Sequence, residues 1–219
     1  MTTTTTCADV VEARYRELWL VLRASGRLVP PRPGRLSKST QLVVRVTDGT
    51  LFRRLDRIRH ALAAVRNVTT VPDHYLHLPV LELGRVTPTR RLARQAQEVL
   101  ADLPPLVVEL AKVGADDRGP FAELHPPDGL LALRERLVAL APGTPPDEPF
   151  LPRLPLGRLV GPVDGGAVAL AVEWFRDRPI GAVRVEKVTL AVVRRRPMHW
   201  IEPVAELPLG RPAPVGVHP

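Results

Sequence analysis

Tyr75-Leu76-His77-Leu78-Pro79-Val80-Leu81-Glu82-Leu83-Gly84 is the stretch whose reading decides the fold. Its apolar residues alternate and it closes on a glycine, so it predicts a strand over 75 to 83. Alternate side chains of a strand share a face, which aims His77 and Pro79 the same way. Pro79 has no N–H to give to a ladder, and this predicts an edge strand or a bulge.

Working outward, a short strand at 68 to 71 precedes this one. Before it a helix at about 51 to 66 carries the stripe Leu51, Leu55, Ile58, Leu62 and Val65, with Arg53, Arg54, Arg57 and Arg59 read as a solvated face. Gln41 to Val46 reads as a strand. An amphipathic helix at 8 to 25, with Val11, Tyr15, Leu18 and Leu22 on one side, ends at Gly26 and a Pro-rich linker, as an appendage expected to dock on its own body. Downstream, Thr87-Pro88 predicts a helix start with Leu92, Ala96 and Val99 inward. Strands follow at 106 to 113 and 120 to 125, then a helix at 128 to 140 and an exposed connection at 141 to 149. Phe150 to Val160 reads as extended, 166 to 175 as a helix, Val183 to Val193 as one long strand, and Trp200 to Leu207 as a last one before a Pro-rich tail. Hairpins mixed with helices predict an α+β fold rather than a doubly wound parallel sheet.

The 219 residues suffice for one sizeable core, and 45% hydrophobic with 25% charged residues is the balance of a folded chain. The net charge of +8 comes almost wholly from arginine, since Lys38, Lys112 and Lys187 are the only lysines. That charge suits a phosphate-bearing partner, while 4% aromatic residues argue against a broad base-stacking surface. Cys7 stands alone, which excludes an internal disulfide and a cysteine-based zinc cluster and favours a reducing compartment. No signal-like start and no membrane-length apolar run appear, so a cytoplasmic location without membrane association is expected. No phosphate loop, dinucleotide glycine pattern or metal-ligand spacing occurs, and no cofactor or metal is called for. The sequence carries no signal for an oligomeric state.

A second segment, Phe150-Leu151-Pro152-Arg153-Leu154-Pro155-Leu156-Gly157-Arg158, together with His77 to Gly84, resembles the paired motifs of the two-histidine phosphoesterases. These are the 2′-5′ RNA ligase and RNA 2′,3′-cyclic phosphodiesterase-like group. Met198 to Leu209 is similar to that family's final hairpin. The resemblance implies a bilobal, pseudo-symmetric fold of antiparallel sheets with helices outside, over residues 36–209. An N-terminal helix and linker, 1–35, and a tail, 210–219, fall outside it. In the family a His-x-Thr/Ser segment on each lobe projects an imidazole and a hydroxyl into a central groove, and the two imidazoles act as base and acid on a phosphate.

The departures from that pattern are specific. Pro79 and Pro155 replace both hydroxyl residues, and Arg153 stands where the second imidazole belongs, so the catalytic motifs are degenerate. Arginine stays protonated and cannot exchange a proton as imidazole does. His77 is left as the candidate catalytic residue, with Arg153, Pro79, Pro155, Tyr75 and Arg158 as candidate ligand contacts, Arg153 facing His77 across a groove. Three readings remain open. A single-histidine, metal-independent phosphodiesterase or ligase is one, and a binder of a phosphorylated small molecule, an RNA end or a cyclic nucleotide is another. The third is a groove given over to a non-nucleotide small molecule. Arginine in place of histidine keeps the site cationic and favours a phosphorylated ligand. Arg153 pairing with Glu82 or Glu148 is the structural alternative. His74 is expected at a rim, His125 in a turn, His199 as a candidate groove residue, and Trp200 in the core.

Overall fold

The computed structural model describes residues 6–24, 26–31, 38–141, 150–176, 178–194 and 200–210. The linker from 32, the connection 142–149 with Glu148, His199 and the tail beyond 210 lie outside the described residues. In chain order come α1 (Cys7–Ala24), β1 (Arg27–Leu28), β2 (Lys38–Arg45), α2 (Gly49–Ala63), β3 (Val68–Thr70) and, after a single 3-10 turn at Asp73–Tyr75, β4 (His77–Gly84). Next are α3 (Arg90–Leu100), β5 (Leu106–Ala115), β6 (Pro120–His125) and α4 (Asp128–Val138). The chain then forms β7 (Arg153–Pro155), β8 (Gly157–Leu159), β9 (Val163–Asp164), α5 (Gly165–Arg176), β10 (Gly181–Val185), β11 (Lys187–Arg194) and β12 (Trp200–Pro208).

The fold is α+β, with every strand pair antiparallel. Two four-stranded sheets carry it, in the orders β12-β11-β2-β4 and β10-β5-β6-β7. The motif strands β4 and β7 are therefore each an edge strand, and they lie against one another where the sheets meet. Both prolines sit where a missing N–H does least damage, as expected: Pro155 on an edge, Pro79 on an edge beside a register shift at Leu42/Val43. Two-stranded pairs, β3 with β8 and β1 with β9, tie the sheets' flanking loops together. Helices α3 and α4 pack on the first sheet and α2 and α5 on the second. One aliphatic core runs through both, including Leu42, Leu78, Leu110, Leu124 and Leu154. No helix among the described residues is long and apolar enough to cross a membrane.

Four local expectations are corrected. The run 183 to 193 is two strands in different sheets, parted at Glu186; its inward valines change parity there, from Val183 and Val185 to Val188. Phe150 to Val160 likewise splits, because Leu156 donates its N–H to Pro120 and accepts from Val71, handing the chain from β6 to β3. Helix α3 is capped by Thr89, whose hydroxyl accepts from Leu92 N at 3.2 Å, and not by Thr87. Arg59 is buried rather than solvated, donating to the Val71 carbonyl at 2.9 Å and pairing with Asp56 and Asp73.

Candidate functional site

The register around His77 assembles a polar face. His77 opposes Arg45 and Pro79 opposes Val43, while the extra residue at Val80 re-phases the strand so that Glu82, opposite Gln41, rejoins their side. On the next strand Thr189 opposes Val43 and Ala191 opposes Gln41. Ser39, Gln41, Arg45, His77, Glu82 and Thr189 thus share one face of the first sheet, with Leu42, Val44, Leu78 and Leu81 on the other. Of these, Ser39, Gln41, His77 and Thr189 are buried, and the Gln41 amide donates to the Ser39 hydroxyl at 2.9 Å. Pro79 brings no hydroxyl to this face, but neighbouring strands bring two, Ser39 and Thr189. The sequence signal for them was available in the alternation of β2 and β11, once their register was known.

The imidazole of His77 has a defined tautomer. Its Nδ1 lies 2.8 Å from the Tyr75 carbonyl, which only accepts, so Nδ1 carries the hydrogen and Nε2 is left with a lone pair. Burial pushes its pKa below the ordinary value, and the bond to Tyr75 only partly opposes this. A neutral imidazole with a bare Nε2 can accept a proton or a hydrogen bond. Tyr75, also buried, places its ring 3.9 Å from His74 and 5.7 Å from Trp200. Trp200 is 52% exposed rather than in the core, as its place on edge strand β12 allows.

The second segment is arranged differently. Arg153 opposes Glu123, and Pro155 opposes Phe121, so these four side chains share the second sheet's other face, away from Leu154 and Ala122. Arg153 is largely buried and pairs with Asp116, and its guanidinium stands 5.1 Å from the Phe121 ring centroid. Asp116 is fixed in the β5–β6 turn, where it accepts from Arg118 N at 2.9 Å and Gly119 N at 3.1 Å. That turn presses on β8: Gly119 has φ +142°, and a Cβ there would meet the Gly157 carbonyl oxygen at 2.6 Å. Among the described residues, the partner of Arg153 is neither Glu82 nor any other residue of the first sheet, and no hydrogen bond joins it to His77. Arg158 is half-buried in β8, opposite Thr69.

Helix α1 docks on this face. Tyr15 donates its hydroxyl to the Pro152 carbonyl, one residue before Arg153, and its ring lies 6.2 Å from Phe121 and 5.5 Å from His125. Val11, Tyr15 and Phe121 form a small core of their own, flanked by Leu18, Leu131 and Leu151. Burial raises the Tyr15 pKa, so the phenol keeps its proton and acts as donor. Deeper in, Glu123 is 1% exposed and accepts from Arg176 at 2.7 Å, with His125 Nε2 at 3.2 Å. Burial pushes its carboxyl up, but the bonds from His125 and Arg176 outweigh this and hold it below the ordinary value. Arg176 in turn stacks on Trp19 at 4.1 Å. Sequence reading missed Tyr15, Asp116, Glu123 and Arg176; a phenol within the stripe of α1 was the one visible hint, since a buried hydroxyl needs a partner. Among the described residues no group of three or more His, Cys, Asp or Glu could hold a metal ion.

No family model matches the sequence, and no curated protein matches it. Solved structures do. TT0787, a protein of Thermus thermophilus, superposes with TM-score 0.60 at 23% identity, over 78% of this chain and 98% of its own. E. coli LigT complexed with NADP+ gives 0.55 at 21%, over 79% and 98%. ATU0111 of Agrobacterium tumefaciens, a conserved protein of unknown function, gives 0.54 at 12%, over 81% and 93%. The chain therefore has the fold that the motif resemblance implied, with whole neighbours matched and about a fifth of this chain left over.

Proposed function

We propose that the protein binds a phosphorylated ligand, a nucleotide or RNA end, in front of His77, and that this half of the site works as a binder with little or no phosphodiester turnover. The observation that carries the reading is the buried, neutral His77, its Nε2 free to accept from a ribose hydroxyl, on a face shared with Arg45, whose guanidinium can donate to the phosphate. The fold supports it: solved E. coli LigT complexes hold ATP and 3′-AMP. In-line chemistry at a phosphodiester needs a base for the entering oxygen and an acid for the leaving one. A single imidazole supplies one of them, and Arg153, a permanent cation tied to Asp116, does not exchange a proton for the other. Losing one such group costs roughly 10²–10⁴-fold in rate.

Titration calorimetry with 3′-AMP and with a 2′,3′-cyclic nucleotide tests this. Wild type is expected to bind at least one of them, and His77→Ala and Arg45→Ala each to weaken binding about tenfold, the equivalent of one charge-assisted or well-placed hydrogen bond. Absence of binding by wild type, or efficient turnover of the cyclic nucleotide that survives His77→Ala, would overturn the proposal.

A further inference from the structure

Away from both motif strands, α2 and the end of α5 flank a half-open cavity of about 510 Å³. Thr50, Arg53, Arg54, Arg57 and Ile58 line one wall, at i, i+3, i+4, i+7 and i+8 of α2, so one helical face is turned into it. Trp174, Phe175, Arg178, Pro179 and Ile180 form the opposite wall. Four guanidinium groups therefore line one cavity and, among the described residues, no carboxylate does. The acids around α2 are spoken for: Asp48 caps the helix, accepting from Thr50 N and Leu51 N, and Asp56 and Asp73 both pair with Arg59. What the cavity's arginines do have is weak or neutral. Arg54 donates to the Ile180 carbonyl at 3.2 Å, Arg53 lies 3.4 Å from the Thr50 hydroxyl, and Arg178 stacks on Trp174 at 3.8 Å. Gly181, with φ +154°, lets the chain pass where a Cβ would meet Leu51 at 3.0 Å, and so brings Ile180 and its neighbours onto α2.

Like charges gathered in one cavity raise each other's energy, and an anion bridging them relieves it. Trp174 is 67% exposed, an indole left in water at the mouth of the cavity. We infer that this cavity is a second ligand site, for a nucleotide unit whose phosphate lies among Arg53, Arg54 and Arg57 while its base stacks on Trp174. Guanidinium forks match phosphate oxygens two at a time. An aromatic face takes any base, and the Arg178 guanidinium against the indole adds to it. The volume falls within the roughly 300–1,000 Å³ of small-ligand clefts. A free nucleotide and a nucleotide within a single strand present the same chemistry here. The site rests on its own residues and not on the reading of His77.

The test is titration calorimetry of the full chain, with tryptophan fluorescence read alongside, using 5′-AMP and, separately, a ten-nucleotide single-stranded RNA, in wild type and in a His77→Ala, Arg45→Ala background. Binding of either probe that persists in that background supports the second site. A response to 5′-AMP identifies a free nucleotide as sufficient, and a response to RNA alone identifies a strand. Arg57→Ala and Trp174→Ala, both at exposed positions, are each expected to weaken binding about tenfold. The RNA complex should also weaken with salt, and the quench should vanish in Trp174→Phe if Trp174 is its source. The inference is overturned if neither probe binds, if binding is lost with His77 and Arg45, or if it is indifferent to Arg57→Ala and Trp174→Ala. Binding to phosphatidylserine vesicles without binding of either nucleotide probe would equally overturn it, in favour of a lipid surface.

Discussion

The two motif strands occupy equivalent edges of their sheets, yet the faces they present have opposite characters. Around His77 the polar groups are short, mostly neutral and loosely engaged: a hydroxyl from Ser39, another from Thr189, the Gln41 amide, and an imidazole with one nitrogen free. Around Arg153 the charges are matched inside the protein, Arg153 with Asp116 and Glu123 with Arg176, and α1 closes over them through Tyr15. The first face keeps hydrogen-bonding capacity in hand, although Ser39, Gln41, His77 and Thr189 are all buried. At the second a ligand would first have to break an ion pair that is already largely desolvated. Around Arg153 the ion pairs, the Asp116 turn and the docked helix α1 thus make the second face part of the architecture.

The sharpest way to break this contrast is to open the Glu123–Arg176 pair. Glu123→Ala leaves Arg176 buried without its partner and should cost about 3–5 kcal/mol in urea denaturation, while nucleotide binding at His77 is retained in whatever fraction stays folded. A cost below about 1 kcal/mol, the scale of an exposed pair, would mean that the second face is not the self-sufficient network described. Next in size, Tyr15→Phe strands the Pro152 carbonyl beneath α1 and should cost about 1–3 kcal/mol, visible as a lower denaturation midpoint with an unchanged slope. If Tyr15→Phe is neutral, α1 is held by packing alone.

A gentler probe is pH. The folded-state pKa of His77 is depressed below 6.5, so below that value the unfolded chain takes up a proton that the folded one refuses. Stability should therefore fall as pH drops from 6.5 towards the folded pKa, by at most about 1.4 kcal/mol per pH unit from this group. His77→Gln should flatten that limb. The Glu123 contribution has a separate window: its carboxyl is depressed below 4.5, so its stabilisation is present above 4.5 and lost as pH falls through the lower folded value. Identical pH curves for wild type and His77→Gln between about 6.5 and 5 would remove the basis for a neutral, buried imidazole.

The sequence revealed the fold more fully than the site, for a physical reason. Strand alternation and helical stripes are local, and they identified β4, α2 and α5 within a few residues; the two prolines even forecast edge strands. Where the forecast failed, long-range pairing decided. The apolar alternation changes parity across Glu186 and Lys187, and the sheet partners show what that means, parting the run into β10 and β11. The same holds at the motifs. His77 and Arg153 were visible as residues, but Asp116 lies 37 positions from Arg153, and Tyr15 lies 137 from Pro152, separations that no spacing rule reaches. Arg59 shows the converse, a charge in a run of four arginines that looked solvated and is buried because Val71 and Asp73 fold back onto it.

The junction at Glu186 bears on how the halves can move. The chain leaves one sheet and enters the other across this one residue, whose carbonyl is itself held by Leu209 N at 2.8 Å. One residue contributes two soft torsions and no slack, so the two ladders are fixed against each other at this joint, and the aliphatic core that runs through both sheets opposes any tilt between them.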